Sequence, residues 1–255
     1  MRDFSLHIYQ RLLDSLQEAG YRFTSFARFL EAPEKKAIML RHDVDARKLN
    51  SLEFARIQHE RGIESTYYFR VVPQSFDEGV IREIYELGHE IGYHYEDMDF
   101  AKGDPHKAIG LFERHLDRLR KVAPVRTICM HGSPRSKYDN KDVWKHYDYR
   151  DYGLIGEPYY DLDFSRVFYL TDTGRRWDGH RVSVRDKVEQ AFDLAFHSTG
   201  EIIDTVRRNE LPNQVMLNFH PQRWMDPYLP WLKEKYTQTF KNQIKYYLIQ
   251  WRTSR

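Results

Sequence analysis

The order of apolar and polar residues along the chain alternates between helical and strand-like patterns. Apolar side chains that recur every three or four residues predict helices, and these lie at 5–19, 47–61, 75–87, 105–121, 197–209 and 228–251. Short runs of apolar, β-branched and aromatic residues predict strands, and these lie at 37–41, 65–72, 89–94, 125–130, 167–170 and 214–219. The aromatic segment 132–165 fits neither pattern, and we expect a long loop region with a short helix and a short strand.

Predicted strands and helices alternate at least five times, and no linker rich in Gly, Ser or Pro separates two halves of the chain. Such alternation is typical of α/β folds, in which crossover helices connect parallel strands. We therefore expect one domain over residues 1–255. Its core motifs lie at 37–221, and the helices 5–19 and 228–251 pack on it.

Acidic residues and histidines stand where the predicted strands end. They are Asp43, Asp45, His94, His131, Asp172 and His220. In a parallel α/β barrel the carboxyl ends of all strands lie on one face, which is where active sites form. The sequence therefore predicts that these side chains converge on one site.

An Asp-x-Asp pair with histidines is a ligand set suited to a divalent metal such as zinc, which binds carboxylate oxygen and imidazole nitrogen. A bound metal lowers the pKa of its water and polarises a substrate carbonyl. A second carboxylate can then accept a proton, and a histidine across the site can protonate a leaving nitrogen. This chemistry favours hydrolysis of an amide or an ester.

The charge balance and the cysteine content narrow the class of protein. The chain has 255 residues and a net charge of +2, from 40 Lys and Arg against 38 Asp and Glu, so no nucleic-acid partner is expected. The single cysteine, Cys129, excludes an intramolecular disulfide and a cysteine-based zinc cluster, and it favours a reducing compartment. Because the sequence shows no secretory signal and no run of ~20 apolar residues, we expect a cytoplasmic protein without a membrane span.

Two segments resemble motifs of the NodB-type polysaccharide deacetylases, which form carbohydrate esterase family 4. The segment RHDVD looks like the first motif of that family, and the resemblance implies that Asp43 is the catalytic base and Asp45 a metal ligand. The segment GHEIGYH is similar to the second motif and implies that His94 binds the metal. The implied metal is zinc, with cobalt or nickel as alternatives.

The segment NFH stands where the family has its last motif, which implies that His220 is the catalytic acid. The resemblance covers roughly residues 37–221, which is most of the chain. It implies a distorted (β/α)7-type barrel of mostly parallel strands, in agreement with the alternation of predicted strands and helices.

Departures from the family pattern leave the third metal ligand open. The second motif normally supplies another histidine four residues after His94, but that position is Met98, and a thioether is a poor ligand for zinc. The segment HGSPR at 131–135 replaces the third motif. His131 and Asp97 are the two candidates for the missing ligand.

Further residues are assigned to the site by the same resemblance. The segment TDTGRRW lies near the fourth motif, which implies that Asp172 tunes the catalytic histidine and that Trp177 walls the pocket. Arg223 and Trp224, in the segment HPQRW, are expected to face the substrate. The segments HYED, MHGSP and TDTG together resemble a branch associated with bacterial surface-polysaccharide synthesis, which suggests a sugar-nucleotide or glycan-intermediate substrate.

The leading hypothesis is a metal-dependent hydrolase that removes an acetyl group from the nitrogen of an acetamido sugar. An alternative, motivated by Met98, is a NodB-like protein that has lost the metal and binds glycans or acts as a scaffold. A third hypothesis is a metal-dependent hydrolase that acts on a different non-peptide C–N bond. The sequence leaves the oligomeric state open.

Overall fold

Seven parallel strands form one sheet in a computed structural model of the protein. The structure describes residues 2–133, 136–178 and 188–253, with side chains described as far as residue 244. The strands are β1 (Arg22–Thr24), β2 (Ala37–Val44), β3 (Thr66–Phe69), β4 (Glu90–Tyr95), β5 (Val125–Met130), β6 (Phe168–Thr171) and β7 (Gln214–Phe219).

Strand β2 lies at the centre of the sheet, whose order is β5-β4-β3-β2-β7-β6. On one side of β2, strand β1 pairs with its first residues and β3 with its last four, while β7 pairs along the other side. The expectation of seven mostly parallel strands in a distorted barrel is confirmed. The barrel is not closed, since no pairing joins β5 to β6 in the described part of the chain.

The helices of the described residues cover the sheet. They are α1 (Leu6–Glu18), α2 (Phe26–Glu31), α3 (Lys48–His59), α4 (Glu78–Glu86), α5 (Asp97–Phe100), α6 (Pro105–Arg120), α7 (Pro158–Asp161), α8 (Thr199–Arg207) and α9 (Tyr228–Thr253). The side chains of Ser5, Asp104 and Ser198 accept backbone hydrogen bonds at the first turns of α1, α6 and α8, which fixes where these helices begin. Among the described residues, no helix has the length and the apolar character needed to cross a membrane.

Several element boundaries differ from the sequence-based expectation. Strand β2 continues to Val44, so Asp43 lies inside the strand rather than after it. Helix α4 is capped by Asp77 and not by Ser75, because the Ser75 hydroxyl is engaged with the backbone of Val44. Strand β1 and helix α2 lie in a segment where the residue pattern predicts no element; both are short.

The alternation of side chains along β2 decides which residues can reach the site. Ile38 and Leu40 pack into the larger apolar core, between the sheet and its helices, together with the buried face of α1. Ala37 and Met39 pack into a second, smaller core with residues of α2 and β6. Because side chains alternate with a period of two, Arg41 continues the second set. The assignment of residues 1–255 to one domain stays a prediction.

Gly92 in β4 is required by close packing inside the sheet. Gly92 stands beside Tyr68 in the register of β3 and β4. A Cβ atom added there would lie 2.3 Å from the Tyr68 ring and 3.0 Å from the carbonyl oxygen of Thr127. The ring of Tyr68 is fully buried and cannot move aside without displacing its neighbours.

We therefore expect Gly92→Ala to lower the free energy of unfolding by about 1–3 kcal/mol, the usual effect of overpacking a core. Urea denaturation followed by circular dichroism measures this change. Gly79→Ala is the matched control, because Gly79 lies in helix α4 with only an ordinary contact of 3.4 Å to Asp77. Gly79→Ala should raise the free energy of unfolding by about 0.5–1 kcal/mol. Equal effects of the two substitutions would contradict the packing account.

Candidate active site

Side chains from the carboxyl ends of β2, β4, β5 and β7 meet around the carboxylate of Asp45. Its Oδ1 atom lies 3.6 Å from Nε2 of His94 and 3.6 Å from Nε2 of His131. Its Oδ2 atom lies 3.8 Å from Nε2 of His220. The structure therefore brings together four of the residues that the sequence singles out, while the role of each stays a prediction.

The rings of His94 and His131 are oriented by contacts on their far sides. Nδ1 of His94 lies 2.9 Å from the carbonyl oxygen of Cys129, and Nδ1 of His131 lies 3.1 Å from Oε2 of Glu96. Arg70 donates hydrogen bonds of 2.8 and 2.6 Å to the two Glu96 oxygens. Burial alone would raise the pKa of Glu96, but His131 and Arg70 lower it to about 2. Such contacts on Nδ1 are typical of metal-binding histidines, which bind through Nε2.

The Asp45 carboxylate is ionised, and only one of its two oxygens accepts a hydrogen bond from the described residues. Its Oδ1 atom is buried and accepts no hydrogen bond from the described residues, whereas Oδ2 accepts one of 3.1 Å from Nε2 of Gln222. Burial would raise the pKa of Asp45, but the neighbouring His94, His131 and His220 hold it well below its usual range. A buried charged oxygen without a partner is rare in proteins. A divalent cation fits this position, because carboxylate oxygen and imidazole nitrogen are both ligands of zinc.

A second set of possible metal ligands lies deeper in the site. Donor atoms of Asp43, His94 and Cys129 lie within 4.8 Å of one another. However, Arg41 donates two hydrogen bonds to Asp43, of 2.9 Å to Oδ1 and 2.7 Å to Oδ2, and Asn218 donates a third of 3.0 Å to Oδ2. Both oxygens of Asp43 are thus already neutralised by a buried guanidinium. We regard Asp45 as the better carboxylate ligand for that reason.

The Asp43 carboxylate is nevertheless charged and fixed. Burial would raise its pKa, but the Arg41 guanidinium and the neighbouring His94 hold it far below the usual range of an aspartate. Bidentate pairing with arginine fixes both the position and the plane of a carboxylate. Asp43 Oδ2 lies 3.8 Å from Nε2 of His94, so this carboxylate borders the same space as Asp45.

His220 is held by the buried carboxylate of Asp172. Nδ1 of His220 lies 2.5 Å from Asp172 Oδ1, and the backbone N–H of His220 also donates to this carboxylate. Arg223 donates to Oδ1 over 3.2 Å, and Trp224 donates to Oδ2 over 2.6 Å. Burial would raise the pKa of Asp172, but His220 and Arg223 lower it below its usual value. Asp172 therefore contacts the histidine as the resemblance implies.

Three residues that the sequence predicts beside the pocket, Trp177, Arg223 and Trp224, are buried in the structure, and their roles stay predictions. Trp224 is only 1% exposed and Arg223 only 9%, and both donate hydrogen bonds to Asp172. Trp177 is 3% exposed, donates to the Thr199 hydroxyl over 2.9 Å and packs in the aromatic core. These indole and guanidinium groups support the site from behind rather than lining it.

The Asp97 carboxylate is engaged by Tyr93 and His115 rather than by the residues around Asp45. Its carboxylate accepts a hydrogen bond of 2.8 Å from the Tyr93 hydroxyl and lies 2.7 Å from Nδ1 of His115, among side chains that pack against the larger core. Met98, at the position of the expected histidine, is buried in that core. Of the two candidates for the third ligand, only His131 contacts Asp45. Pro134 and Arg135, which complete the segment HGSPR, lie outside the described residues.

Three supporting residues were not predicted from the sequence. Glu96 orients His131, Arg41 fixes Asp43, and Gln222 binds Asp45. Arg41 had a usable signal, because alternation along an extended strand puts it on the same side as the residue two positions later. Glu96 directly follows β4, and Gln222 lies in a short 3₁₀ helix (Pro221–Arg223) after β7, so strand alternation does not apply to either.

Comparisons with known proteins find similarity among solved structures, at low sequence identity. No protein-family model and no curated protein matches the sequence. A family 4 carbohydrate esterase from Bacillus anthracis is 14% identical, with a TM-score of 0.43 over 91% of this chain and 85% of that one. A CE4 esterase from Streptococcus mutans is also 14% identical, with a TM-score of 0.45 over 92% and 90%.

The structural neighbours are CE4 carbohydrate esterases. They include BA3943, a CE4 family pseudoenzyme from Bacillus anthracis, which is 12% identical with a TM-score of 0.42 over 84% of this chain and 62% of that one. Likeness at this level does not bear on the reaction. The functional argument therefore rests on the residues of the site.

A buried carboxylate lies behind the site in the loop that leads into α7. Glu157 accepts hydrogen bonds from the backbone N–H groups of Met130, over 3.1 Å, and Tyr159, over 2.6 Å. Burial nevertheless dominates, and it raises the pKa of Glu157 from 4.5 to about 7. The folded protein therefore favours the neutral acid at a pH where the unfolded chain carries the ionised form.

This raised pKa predicts a specific loss of stability with rising pH. The contribution of Glu157 is fully present below pH 4.5 and is lost as the pH rises through about 7, which amounts to about 3 kcal/mol. Between pH 5 and 8, the wild-type free energy of unfolding should fall relative to that of Glu157→Gln. Urea denaturation across this range measures the difference. Glu60→Gln, at an exposed position, should follow the wild-type curve; parallel curves for Glu157→Gln and wild type would contradict the assignment.

Proposed function

We propose that the protein is a metal-dependent hydrolase that removes the acetyl group from the nitrogen of an acetamido sugar. The observation that carries this proposal is the buried, ionised Asp45 oxygen without a hydrogen-bond partner, which faces the Nε2 atoms of His94 and His131. A charged carboxylate and histidines beside a second, independently fixed carboxylate form a set suited to metal-assisted hydrolysis.

Asp45, His94 and His131 are the residues that would hold the metal. A bound zinc ion would supply a water of lowered pKa and would polarise the acetyl carbonyl. Zinc fits this ligand set best, and cobalt and nickel are alternatives. The contacts of Cys129 and Glu96 to Nδ1 of the two histidines direct Nε2 of each ring toward the site.

Asp43 is proposed as the base. It is ionised at neutral pH and can accept a proton from the attacking water, while Arg41 and Asn218 fix its orientation. Separate partners keep the two carboxylates distinct, since Asp43 is neutralised by a guanidinium and Asp45 faces imidazoles. The division of roles that the first motif implies is therefore compatible with the hydrogen bonding.

His220 is proposed as the acid that protonates the leaving nitrogen. Its Nδ1 atom is held by Asp172, so its Nε2 atom is directed at the space beside Asp45, 3.8 Å from Oδ2. A carboxylate behind an imidazole stabilises the protonated ring and fixes its orientation. Arg223 and Trp224 act on His220 through Asp172 and have no contact role toward substrate in this proposal.

The finer identity of the substrate rests on sequence resemblance alone. A sugar nucleotide or a glycan intermediate of surface-polysaccharide synthesis is the proposed class, and a cytoplasmic location stays a prediction. Binding of a glycan without catalysis and hydrolysis of a different non-peptide C–N bond are the two alternatives. Glycan binding without catalysis is the less supported alternative, because Met98 lies in the apolar core and His131 lies beside Asp45.

Paired substitutions of the two aspartates test the proposal. Zinc content is measured by elemental analysis, and acetate release is measured from an N-acetylated chito-oligosaccharide and from UDP-N-acetylglucosamine. We expect Asp43→Asn to retain zinc and to lose about 10²–10⁴ of the rate, the usual contribution of a positioned base. Asp45→Asn should lose the zinc and the activity together. Asp204→Asn, at an exposed position on α8, is the matched control and should change neither.

Each alternative has its own result in the same experiment. Full activity of Asp43→Asn would remove Asp43 from the mechanism. A wild-type protein that takes up no added zinc would overturn the proposal in favour of glycan binding. A zinc-loaded protein that releases acetate from neither sugar but does so from a non-sugar acetamide would establish the third hypothesis.

A further inference from the structure

Helix α9 turns its polar side toward the rest of the protein and its apolar side outward. Trp231, Glu234, Gln238 and Asn242 recur at intervals of three and four residues and therefore share one face of the helix. Glu234 pairs with Arg47 over 3.1 Å. Gln238 is only 6% exposed. This face holds the helix to the protein largely through polar contacts.

Two further contacts complete the attachment. The indole N–H of Trp231 donates to the carbonyl oxygen of Asp3 over 2.7 Å, and Asn242 donates to the carbonyl oxygen of Gly174 over 2.8 Å. The guanidinium of Arg175 lies over the Trp231 ring at 4.6 Å. The inner face is thus fixed at both ends of the described part of the helix.

The opposite face is apolar and exposed. Leu229, Tyr236, Phe240 and Ile244 recur at intervals of seven, four and four residues, so they form a stripe along one side of the helix. Their exposed fractions are 75%, 67%, 65% and 44%. Surface helices normally bury such a stripe, and a contiguous exposed apolar face marks an interaction site.

The charges beside the stripe are all positive in the described part of the helix. Lys233 and Lys241 are exposed, and no ion pair joins either of them to an acidic residue that the structure describes. Lys235 instead lies over the ring of Trp231, on the inner face. The one acidic residue between Tyr228 and Ile244, Glu234, is turned inward to Arg47. The exposed charged side chains beside the stripe are therefore the lysines Lys233 and Lys241, on a chain whose net charge is +2.

We propose that the outer face of α9 docks onto an anionic lipid surface. Amphipathic helices with aromatic residues on one face and lysines beside them lie in the plane of a membrane interface. Lysine side chains can extend from the apolar boundary to the lipid phosphates. A second copy of the same helix is less suited as the occupant, because the unpaired lysines of the two copies would repel each other.

The position of the helix relates this surface to the site. Arg47, which holds Glu234, stands two residues after Asp45 and also donates to the carbonyl oxygen of Gln222 over 3.1 Å. Docking through α9 would therefore bring the site's edge of the sheet close to the lipid headgroups. The proposal does not depend on the reaction catalysed there.

Vesicle co-sedimentation with the full chain tests the docking surface. Two kinds of vesicle are compared at low and at high salt. One contains phosphatidylcholine only, and in the other about a third of the lipid is anionic phosphatidylglycerol. We expect binding only with the anionic lipid, and a fall of about thirtyfold in the apparent partition coefficient for Lys233→Gln combined with Lys241→Gln. Tyr236→Ser combined with Phe240→Ser should abolish binding, since the apolar contact is lost.

Tyr85→Ser is the matched control, because Tyr85 is 43% exposed on α4 and should leave vesicle binding unchanged. All four positions of the α9 variants are exposed, so circular dichroism should show an intact fold. Equal binding to neutral and anionic vesicles, or no binding to either, would overturn the proposal. Dimerisation is measured separately by analytical ultracentrifugation. If the wild type binds no lipid but forms a concentration-dependent dimer, and Tyr236→Ser/Phe240→Ser loses that dimer, the face would be assigned to a second copy instead.

Discussion

The contact between the Asp45 carboxylate and three imidazoles is the interaction on which the rest of the site depends. Burial of Asp45 Oδ1 opposes its charge, and His94, His131 and His220 offset that penalty. Each imidazole has an oxygen close to its Nδ1 atom, and two of these oxygens belong to the buried carboxylates of Glu96 and Asp172. Arg70 and Arg223 then neutralise those carboxylates. Two chains of alternating contacts, one from Arg70 and one from Arg223, thus converge on the two oxygens of the Asp45 carboxylate.

The geometry of β2 explains why two aspartates so close in sequence have different surroundings. Asp43 lies within the strand, where alternation places it on the same side as Arg41, and the two form a bidentate pair. Asp45 lies one residue past the end of the strand, so it reaches the loops after β4, β5 and β7. The end of β2 therefore supplies one carboxylate that is fixed by arginine, Asp43, and one that faces histidines, Asp45. A hydrolytic site in which the base and the metal ligand are different residues requires such a separation.

Local sequence patterns predicted much of this arrangement, and long-range packing decided the remainder. The predicted bounds of the strands at 125–130 and 214–219 agree with the structure, because short, mostly apolar and β-branched runs are followed there by His131 and His220. The choice between His131 and Asp97 could not be made from sequence, since a turn after β4 rotates Asp97 toward Tyr93 and His115. Aromatic residues beside a predicted site suggested a pocket wall, but Trp177 and Trp224 complete a core with Phe4 and Phe219 from distant segments.

The first coordination shell of zinc in the wild-type protein, measured by X-ray absorption at the zinc K-edge, tests the central claim most directly. The ligand set Asp45, His94 and His131 predicts a shell of nitrogen and oxygen only, at about 2.0–2.1 Å, with multiple-scattering features of two imidazoles. Substitution of Cys129 by Ser should leave that spectrum unchanged. A zinc–sulfur distance of about 2.3 Å, lost in the same variant, would instead assign the metal to Asp43, His94 and Cys129 and would contradict the account.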